Sequence, residues 1–193
     1  MAQQNKTGRT GQCRIIAGKW RGRKLAVAEV EGLRPTPDRV RETLFNWLQP
    51  FIGSSQCLDL FSGSGALGFE AASRGAELVT LVELNSKASQ QLQTNCTLLS
   101  ADNCLVENKA AGQFLAENKQ QYDIVFIDPP YQKNMWTDVA TKLVATKTLS
   151  DNAMIYLECS SKGELPLLPD SWVLIKDKQA GEVRYCLFRY EGS

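Results

Sequence analysis

Short β-rich runs alternate with helical patterns from residue 56 onward, and this alternation restricts the fold more than any other feature of the sequence. The runs are short and mostly apolar, whereas the segments between them carry apolar residues at helical spacing. Strict alternation with short loops predicts a parallel sheet with helices on both faces. The predicted strands are Gln56–Leu60, Leu78–Glu83, Cys104–Glu107, Tyr122–Asp128 and Ala153–Cys159, and the predicted helices are Ala66–Arg74, Ser86–Leu99, Ala111–Lys119 and Trp136–Thr146.

The C-terminal part of the chain departs from this alternation. Ser171–Asp177 and Glu182–Tyr190 flank a turn that contains Gly181, which predicts an antiparallel hairpin at the end of the sheet. The fold class is therefore α/β: a Rossmann-like, mostly parallel, seven-stranded sheet with an antiparallel C-terminal hairpin.

The N-terminal part is predicted to form a small β-hairpin and a helix. Cys13–Val27 contains two short strands around a glycine-rich turn, and Thr36 and Pro37 predict the N-cap and the first position of a helix. We expect residues 1–50 to form a basic extension packed on the core, and residues 51–193 to form the main domain.

Composition excludes several kinds of site. The 193 residues include no histidine, which removes Ser-His-Asp and Cys-His catalysis, histidine-ligated zinc and an imidazole base. The six cysteines form no Cys-x-x-Cys pair, so neither a zinc ribbon nor a dithiol redox site is predicted. The first residues lack a secretory signal, and no apolar run approaches the ~20 residues of a membrane span. We therefore expect a cytoplasmic protein that binds neither a metal nor a membrane. We also expect it to be a monomer, although no sequence pattern determines this.

Charge is distributed unevenly along the chain. Residues 1–41 contain ten Lys or Arg against three Asp or Glu, whereas residues 42–193 contain twelve against eighteen. A basic segment on an acidic body indicates a polyanionic partner, and the alternative is a solvated tail.

A glycine-rich loop follows the first predicted strand of the sheet. Gly63, Gly65 and Gly68 form Gly-x-Gly-x-x-Gly before a helix, and Glu83 ends the next strand, where an acid accepts ribose hydroxyls. The pattern alone also fits a dinucleotide site. Asp59 decides between the two, because a carboxylate beside the loop repels a pyrophosphate but attracts the ammonium and sulfonium of S-adenosyl-L-methionine. The loop therefore predicts a methyltransferase.

The fourth predicted strand ends in the sequence FIDPPY, residues 126–131. Ligands of open α/β sheets bind at the carboxyl ends of the strands, so this motif and the glycine loop are predicted to face one pocket. The prolines remove two backbone donors and leave acceptor carbonyls, while Asp128 adds a carboxylate and Tyr131 a flat ring. This cluster suits an exocyclic amine whose N–H groups bond Asp128 and a proline carbonyl while its ring stacks on Tyr131. The alternative is an ordinary turn after a strand.

Four segments resemble the RsmD family, the class I methyltransferases that modify guanine N2 in 16S ribosomal RNA. They are IIAGKWRGRKL, LRPTPDRVRETLFNWL, LDLFSGSGALGFEA and IDPPY, and they are distributed over nearly the whole chain. The resemblance implies S-adenosyl-L-methionine as cofactor and 16S rRNA, in an assembling or assembled 30S subunit, as substrate.

The resemblance also implies roles for particular residues. The catalytic set is Asp128, Pro129, Pro130 and Tyr131. The cofactor set is Asp59, Phe61, Ser62, Gly63, Ser64, Gly65, Glu83, Leu84, Asn108, Ala110 and Ala111, with Ala110 standing where methyltransferases often carry an Asp or Asn for the adenine amino group. The RNA-binding set is Arg14, Lys19, Arg21, Arg23, Lys24, Arg34 and Arg39 for phosphates and Trp20 for stacking.

Two alternatives to this function stay open on the sequence. The same chemistry serves adenine or cytosine in DNA, or a protein glutamine, although no target-recognition insertion is present. A non-catalytic RNA-binding module is the other alternative, and the joint presence of Asp59, Glu83 and Asp128 argues against it.

Overall fold

A computed structural model describes residues 11–33, 35–130 and 135–192 of the chain. Within these ranges, seven strands form one sheet and two strands form a small second sheet. The predicted α/β fold class is confirmed, including the antiparallel C-terminal hairpin and the N-terminal β-hairpin. The elements in chain order are β1 (Gln12–Arg14), β2 (Lys24–Ala26), α1 (Asp38–Leu48), β3 (Gln56–Asp59), α2 (Ala66–Ser73), β4 (Leu78–Val82), α3 (Ser86–Leu99), β5 (Cys104–Glu107), α4 (Ala111–Glu117), β6 (Tyr122–Ile127), α5 (Trp136–Ala145), β7 (Leu149–Ser160), β8 (Trp172–Ala180) and β9 (Val183–Tyr190).

The large sheet has the strand order β5-β4-β3-β6-β7-β9-β8. Strands β3 to β7 pair in parallel, and β9 runs antiparallel to both β7 and β8. The chain proceeds outward from β3 to β5 and then returns to place β6 on the other side of β3. The strand order therefore reverses between β3 and β6, which is where open α/β sheets bind ligands.

The central strands β3 and β6 are buried on both faces of the sheet. Along β6, Ile124 and Phe126 join the apolar cluster that includes α1, α2 and α3, whereas Val125 and Ile127 join the cluster that includes α4 and α5. This alternation follows from the two-residue period of a strand. The two cores hold the carboxyl ends of β3 and β6 in fixed positions beside each other.

Most element bounds agree with the predictions within one or two residues, and β7 is the main exception. It begins at Leu149, four residues before the predicted start at Ala153. Leu149 pairs with Tyr122, and the register then shifts before Ile124 pairs with Met154. This irregularity brings polar residues 150–152 into the strand, which apolar patterning does not reveal. No helix in the described ranges is both long and apolar enough to cross a membrane.

The N-terminal hairpin docks on the end of α2. Gly18 has a φ of +81°, and a Cβ atom there would lie 1.9 Å from the carbonyl oxygen of Ser73. The Ser73 carbonyl accepts the Lys19 N–H at 2.7 Å, and the Ser73 hydroxyl accepts the Trp20 N–H at 2.9 Å. Only glycine permits this close approach of the two backbones.

Helix α1 begins one residue later than predicted. Pro37 occupies the N-cap with a φ of −56° and a ψ of 144°, and Asp38 is the first helical residue. Thr36 is buried, and its carbonyl oxygen accepts a hydrogen bond from Arg41 Nε at 3.2 Å, so it serves a side chain of the helix. Leu44 and Phe45 of α1 share one apolar cluster with the sheet. The division of the chain at residue 50 stays a prediction.

Candidate active site

The glycine loop connects β3 to α2 with two glycines in left-handed conformations. Gly63 has a φ of +49°, and Gly65, the N-cap of α2, has a φ of +77°. A Cβ atom on Gly65 would lie 2.5 Å from the Phe69 ring and 2.7 Å from Leu92. Packing as well as backbone conformation therefore requires glycine at this position. The close packing around Gly65 fixes the path of the loop.

Asp59 lies beneath the glycine loop at the end of β3. It is 3% exposed, and its Oδ2 accepts the Gly68 N–H at 3.1 Å, while its carbonyl oxygen accepts the Ser62 hydroxyl at 2.9 Å. Burial raises the pKa of Asp59 to about 7, hydrogen bonds from the Gly68 and Phe61 N–H groups oppose this shift, and the charge of Glu83 adds to it. Asp59 thus holds the loop from below and places a carboxyl group under the predicted cofactor position.

Glu83 follows β4 and bonds directly to the glycine loop. Its Oε2 accepts the Gly63 N–H at 2.8 Å, and its Oε1 accepts the Asn85 N–H at 2.7 Å. A carboxylate oxygen has two lone pairs, so each oxygen can accept a further hydrogen bond from a ligand hydroxyl. The loop and the acid, which the sequence separates by twenty residues, form one unit.

Asn108 bonds to the backbone of Glu83 and of the residue after it. Its Nδ2 donates to the carbonyl oxygens of Glu83 and Leu84 at 2.7 and 3.1 Å. Leu84 is 62% exposed, and Ala110 is the N-cap residue of α4, with Ala111 as the first helical residue. The residues predicted to surround the adenine thus lie after β4 and β5, and Asn108 joins the two segments.

Asp128 follows β6 at the reversal of strand order. Asp59 pairs with Phe126 in the sheet, and the Leu60 N–H donates to the Phe126 carbonyl at 3.2 Å, so the ends of β3 and β6 are adjacent. Asp128 is half-buried, Pro129 is buried and Pro130 is exposed. Burial raises the pKa of Asp128 well above its usual range, and the charges of Glu158 and then Asp59 raise it further. Tyr131 lies outside the described residues.

Glu158 on β7 is a residue that the sequence interpretation missed. Leu157 pairs with Ile127, so the next residues along the two parallel strands are Glu158 and Asp128. Glu158 is 6% exposed, and its Oε2 accepts the Tyr156 hydroxyl at 2.8 Å. An acid within the apolar run AMIYLEC was the available signal, because charged residues are rarely buried without a partner or a function.

Four carboxyl groups therefore gather at the carboxyl edge of the sheet, and we call this set the acidic edge. The charges of Glu83 and Asp59 interact, as do those of Asp59, Asp128 and Glu158. A surface of this kind favours a cationic ligand and disfavours a pyrophosphate. The acidic edge comprises Asp59, Glu83, Asp128 and Glu158.

The predicted RNA-binding cations lie on or near the N-terminal hairpin, residues 12–26, which we call the basic hairpin. Its exposed cations are Arg14, Lys19, Arg21, Arg23 and Lys24, and Arg39 on α1 is exposed as well. Arg14 pairs with Asp38 at 3.3 Å, and Arg23 Nη2 donates to the Leu98 carbonyl at 3.2 Å. Arg34 lies outside the described residues.

The prediction that Trp20 stacks on RNA is wrong for this conformation. The residue is 5% exposed and belongs to the same apolar cluster as Ile15 and Leu25. A large aromatic ring gains more from burial in this small hairpin than from exposure, and with Ile15 and Leu25 it packs the hairpin on the core. Lys19 lies over the ring, with its Nζ 5.3 Å from the centroid.

Arg41 is an internal cation and not a surface one. It is 1% exposed and donates from Nη2 to the Arg14 carbonyl at 2.9 Å and to Asp38 Oδ1 at 2.6 Å. Its Nη1 lies 3.6 Å from Oε2 of the fully buried Glu70. Glu70 also accepts the Ile16 and Ala17 N–H groups, at 2.8 and 3.0 Å. This network fastens the basic hairpin to α1 and α2.

The chain is similar over most of its length to known proteins. A family model described as conserved hypothetical protein 95 matches residues 13–189. The chain is 48% identical over 191 residues to ribosomal RNA small subunit methyltransferase D of Escherichia coli K12, covering 99% of this chain and 96% of the relative.

Solved structures give the same result. An Escherichia coli structure described as a methyltransferase candidate superimposes with a TM-score of 0.88 at 46% identity, covering 95% of this chain and 100% of that one. An RNA methyltransferase from Salinibacter ruber, in complex with S-adenosyl-L-homocysteine, has a TM-score of 0.63 at 13% identity, with 83% of this chain and 95% of that chain covered. The second likeness concerns the fold alone.

Proposed function

Because this chain belongs to the ribosomal RNA small subunit methyltransferase D family, RsmD, we propose that it transfers a methyl group from S-adenosyl-L-methionine to the exocyclic N2 amine of one guanine in 16S rRNA. The observation that carries the proposal is the position of Asp128. It follows β6 directly beside the end of β3, where the glycine loop and Glu83 are joined by the bond between the Gly63 N–H and Glu83 Oε2. A methyl donor held by the loop would thus lie next to an acceptor held by Asp128.

The acidic edge suits this cofactor. S-adenosyl-L-methionine carries an ammonium and a sulfonium but no phosphate, so carboxylates attract it. Glu83 would accept the two ribose hydroxyls with its remaining lone pairs, and Leu84 would pack against the adenine with Ala110 and Ala111. The Salinibacter ruber enzyme holds the corresponding product, S-adenosyl-L-homocysteine, on the same fold.

Other members of the cofactor set would shape the site through the backbone. Gly63 and Gly65 give the loop its left-handed turns, and Asp59 holds it from below through the Gly68 N–H. The Ser62 hydroxyl is bonded to the Asp59 carbonyl. These contacts would leave the upper surface of the loop to the ligand. Phe61 and Ser64 belong to the same loop.

Asp128 would hold the guanine amine and bear the charge that develops on it. When bound, S-adenosyl-L-methionine supplies an electrophilic methyl group, and its transfer to the amine leaves S-adenosyl-L-homocysteine and one proton. A carboxylate that accepts an N–H bond draws the nitrogen out of conjugation with the ring and stabilises its positive charge in the transition state. The carbonyl groups around Pro129 and Pro130 would accept the second N–H, and Tyr131 is proposed to stack on the base. No histidine is needed, because positioning alone contributes about 7–11 kcal/mol.

The basic hairpin would bind the rRNA backbone. Exposed Arg and Lys side chains contact phosphates and release counterions, and they do so without reading the sequence of the RNA. Arg21, Lys24 and Arg39 are exposed, as are Lys19 and Arg23. We propose that the substrate is the small subunit, assembling or assembled, in the cytoplasm, and that the enzyme acts as a monomer.

Mass mapping of modified nucleosides tests the proposed function. Ribosomal RNA from cells with and without the gene should differ by one N2-methylguanosine in 16S rRNA, and the purified enzyme should restore it. Naked 16S rRNA and isolated 30S subunits, used as parallel substrates, would identify the form that is modified. Unchanged guanine methylation, or a difference at adenine, cytosine or a protein glutamine instead, would contradict the proposal.

A further inference from the structure

Glu158 is a buried acid of the site, and the chemistry proposed above assigns it no role. It lies on β7, next to the strand that ends in Asp128, because Leu157 pairs with Ile127. The side chain is 6% exposed, although a carboxylate in a buried position normally needs compensation. Its Oε2 accepts the Tyr156 hydroxyl, and its backbone carbonyl accepts Trp136 Nε1, each at 2.8 Å. The strand and its neighbours therefore fix both the backbone and the carboxylate of Glu158.

Glu158 lies among aromatic residues, next to the end of β6. Tyr156 lies on the same strand, and Tyr185 of β9 is the pairing partner of Glu158 in the sheet. Tyr185 is buried and stacks on Trp47 of α1, with the ring centroids 5.5 Å apart. From β3, Asp59 is the other acid whose charge reaches Asp128.

We propose that Glu158 is a positioning residue for methyl transfer, whose buried carboxylate is held on β7 beside the end of β6 and acts on the amine through Asp128. This inference rests on the proposed function. It adds a second carboxylate, from β7, to a site that the sequence motifs assign to β6 alone. Tyr156 supports the arrangement by donating its hydroxyl hydrogen to Glu158.

The expected consequence concerns the proton that the amine loses during methyl transfer. As the N2–CH₃ bond forms, the C–S bond breaks and its electron pair stays on sulfur, while the nitrogen becomes positively charged. One N2 proton then passes to the Asp128 carboxylate and from there to water. A carboxylate whose proton affinity is raised by a neighbouring negative charge accepts this proton more readily.

The test is the pH dependence of single-turnover methylation of 30S subunits in Glu158→Gln. Asp128 must be ionised to accept the amine hydrogen bond, so the rate falls as the pH drops through the pKa of Asp128. In the wild type, burial raises that pKa, and the charges of Glu158 and then Asp59 raise it further. Removal of the Glu158 charge should therefore move the acid limb of the profile to lower pH by about one unit and lower the plateau rate by roughly threefold to tenfold. Glu158→Asp, which keeps the charge, should retain a limb close to that of the wild type.

Two controls separate this effect from damage to the fold. Glutamine keeps an oxygen that accepts the Tyr156 hydroxyl, and S-adenosyl-L-homocysteine binding measured by calorimetry should change by less than about twofold. A lower plateau with an unmoved acid limb would overturn the proposal, because a merely structural role leaves the limb in place. If Glu158→Gln does not fold, ¹³C NMR titration of wild-type carboxyl groups, with Asp128 assigned through Asp128→Asn, decides the question. An Asp128 that titrates in the ordinary aspartate range would then overturn the proposal.

The role of Glu158 and the proposed function are tested by two different measurements on the same reaction. Digestion of the same reaction products identifies the methylated nucleoside, whereas the acid limb reports on Glu158 whichever amine accepts the methyl group. An N2-methylguanosine product with an unmoved limb contradicts the role of Glu158 alone. A different methylated product with a moved limb contradicts the guanine assignment and supports the role of Glu158.

Discussion

The acidic edge and the basic hairpin carry opposite charges and hold them in different ways. The acids are fixed by the protein: Asp59 and Glu83 accept backbone N–H groups, and Glu158 accepts a tyrosine hydroxyl. The cations at positions 21 and 24 are exposed on the hairpin surface. Charges held by hydrogen bonds in a partly or fully buried site act with fixed geometry and are screened little by salt, whereas exposed charges are mobile and are screened strongly. The first arrangement suits chemistry on a small group, and the second suits binding of a polyanion.

Arg41 and Glu70 show that location and not residue type makes this difference. Both lie under the hairpin, Arg41 on α1 and Glu70 on α2. Their side chains are 1% and 0% exposed, and their nearest charged atoms lie 3.6 Å apart. They position the hairpin on the core. Substitutions in the two regions should accordingly change different measured quantities.

The largest effect is expected at the acidic edge, in Asp128→Ala. The substitution removes the carboxylate that is proposed to accept the amine hydrogen bond, so the single-turnover rate should fall by roughly 10²–10⁴-fold. Asp128→Asn should lose less, because an amide oxygen still accepts the bond without the negative charge. Cofactor affinity, measured by calorimetry, should change far less than the rate in both variants.

The next effect is expected in the buried network under the basic hairpin. Arg41→Ala removes the partner of Glu70 and leaves the Arg14 and Thr36 carbonyls without that donor. The free energy of unfolding in urea should fall by about 3 kcal/mol, at the low end of the range for a broken buried pair because Arg74 still bonds Glu70 at 2.6 Å. The exposed neighbour Arg39 is the matched control, and Arg39→Ala should shift this free energy by less than about 0.5 kcal/mol. Equal losses in the two variants would mean that Arg41 is not part of the support.

A smaller effect is expected for the cofactor in Glu83→Ala. Loss of two hydrogen bonds to a charged acceptor should weaken S-adenosyl-L-methionine binding by roughly 10–100-fold. Glu77 is exposed at the opposite, amino edge of β4, and Glu77→Ala should bind the cofactor as the wild type does. Wild-type NAD affinity should be far below that for S-adenosyl-L-methionine. Tighter binding of NAD in the calorimeter would contradict the reading of Asp59 as a discriminating acid.

The smallest effect on chemistry is expected in the double variant Arg21→Ala and Arg23→Ala. Loss of the two proposed phosphate contacts should weaken binding to 30S subunits and reduce the slope of log K against log salt by roughly two units. Lys119→Ala with Lys147→Ala removes the same charge from exposed positions before β6 and β7, at the amino edge of the sheet, and serves as the control. An unchanged slope in the first pair would show that the hairpin is structural and that RNA binds elsewhere.

The sequence predicted the placement of local features in the fold well. The glycines, Asp59, Glu83 and Asp128 could be placed because a Gly-rich turn after a strand and an acid after the next one are short-range patterns, and parallel strands bring their carboxyl ends to one edge. Features that depend on packing were not predictable in this way. Trp20 has the same local pattern whether it faces solvent or the core, and only docking on α2 decides it.

Glu158 and the start of β7 were missed for a related reason. The nearness of Glu158 to Asp128 depends on which strand pairs with β6, and its significance appears only when Leu157 is paired with Ile127. Leu149 joins the strand through a register shift opposite Tyr122, which the polar residues 150–152 conceal. Strand pairing is a long-range property that a one-dimensional pattern does not fix.

One assay compares the two regions directly: single-turnover methylation over a range of 30S concentrations at saturating S-adenosyl-L-methionine. We expect Asp128→Ala to lower the limiting rate by at least about 100-fold with half-saturation unchanged. The Arg21 and Arg23 double variant should raise half-saturation and keep a limiting rate close to that of the wild type. A limiting rate like the wild type's in Asp128→Ala would contradict the central claim, because the FIDPPY segment would then be only the turn that ends a buried strand.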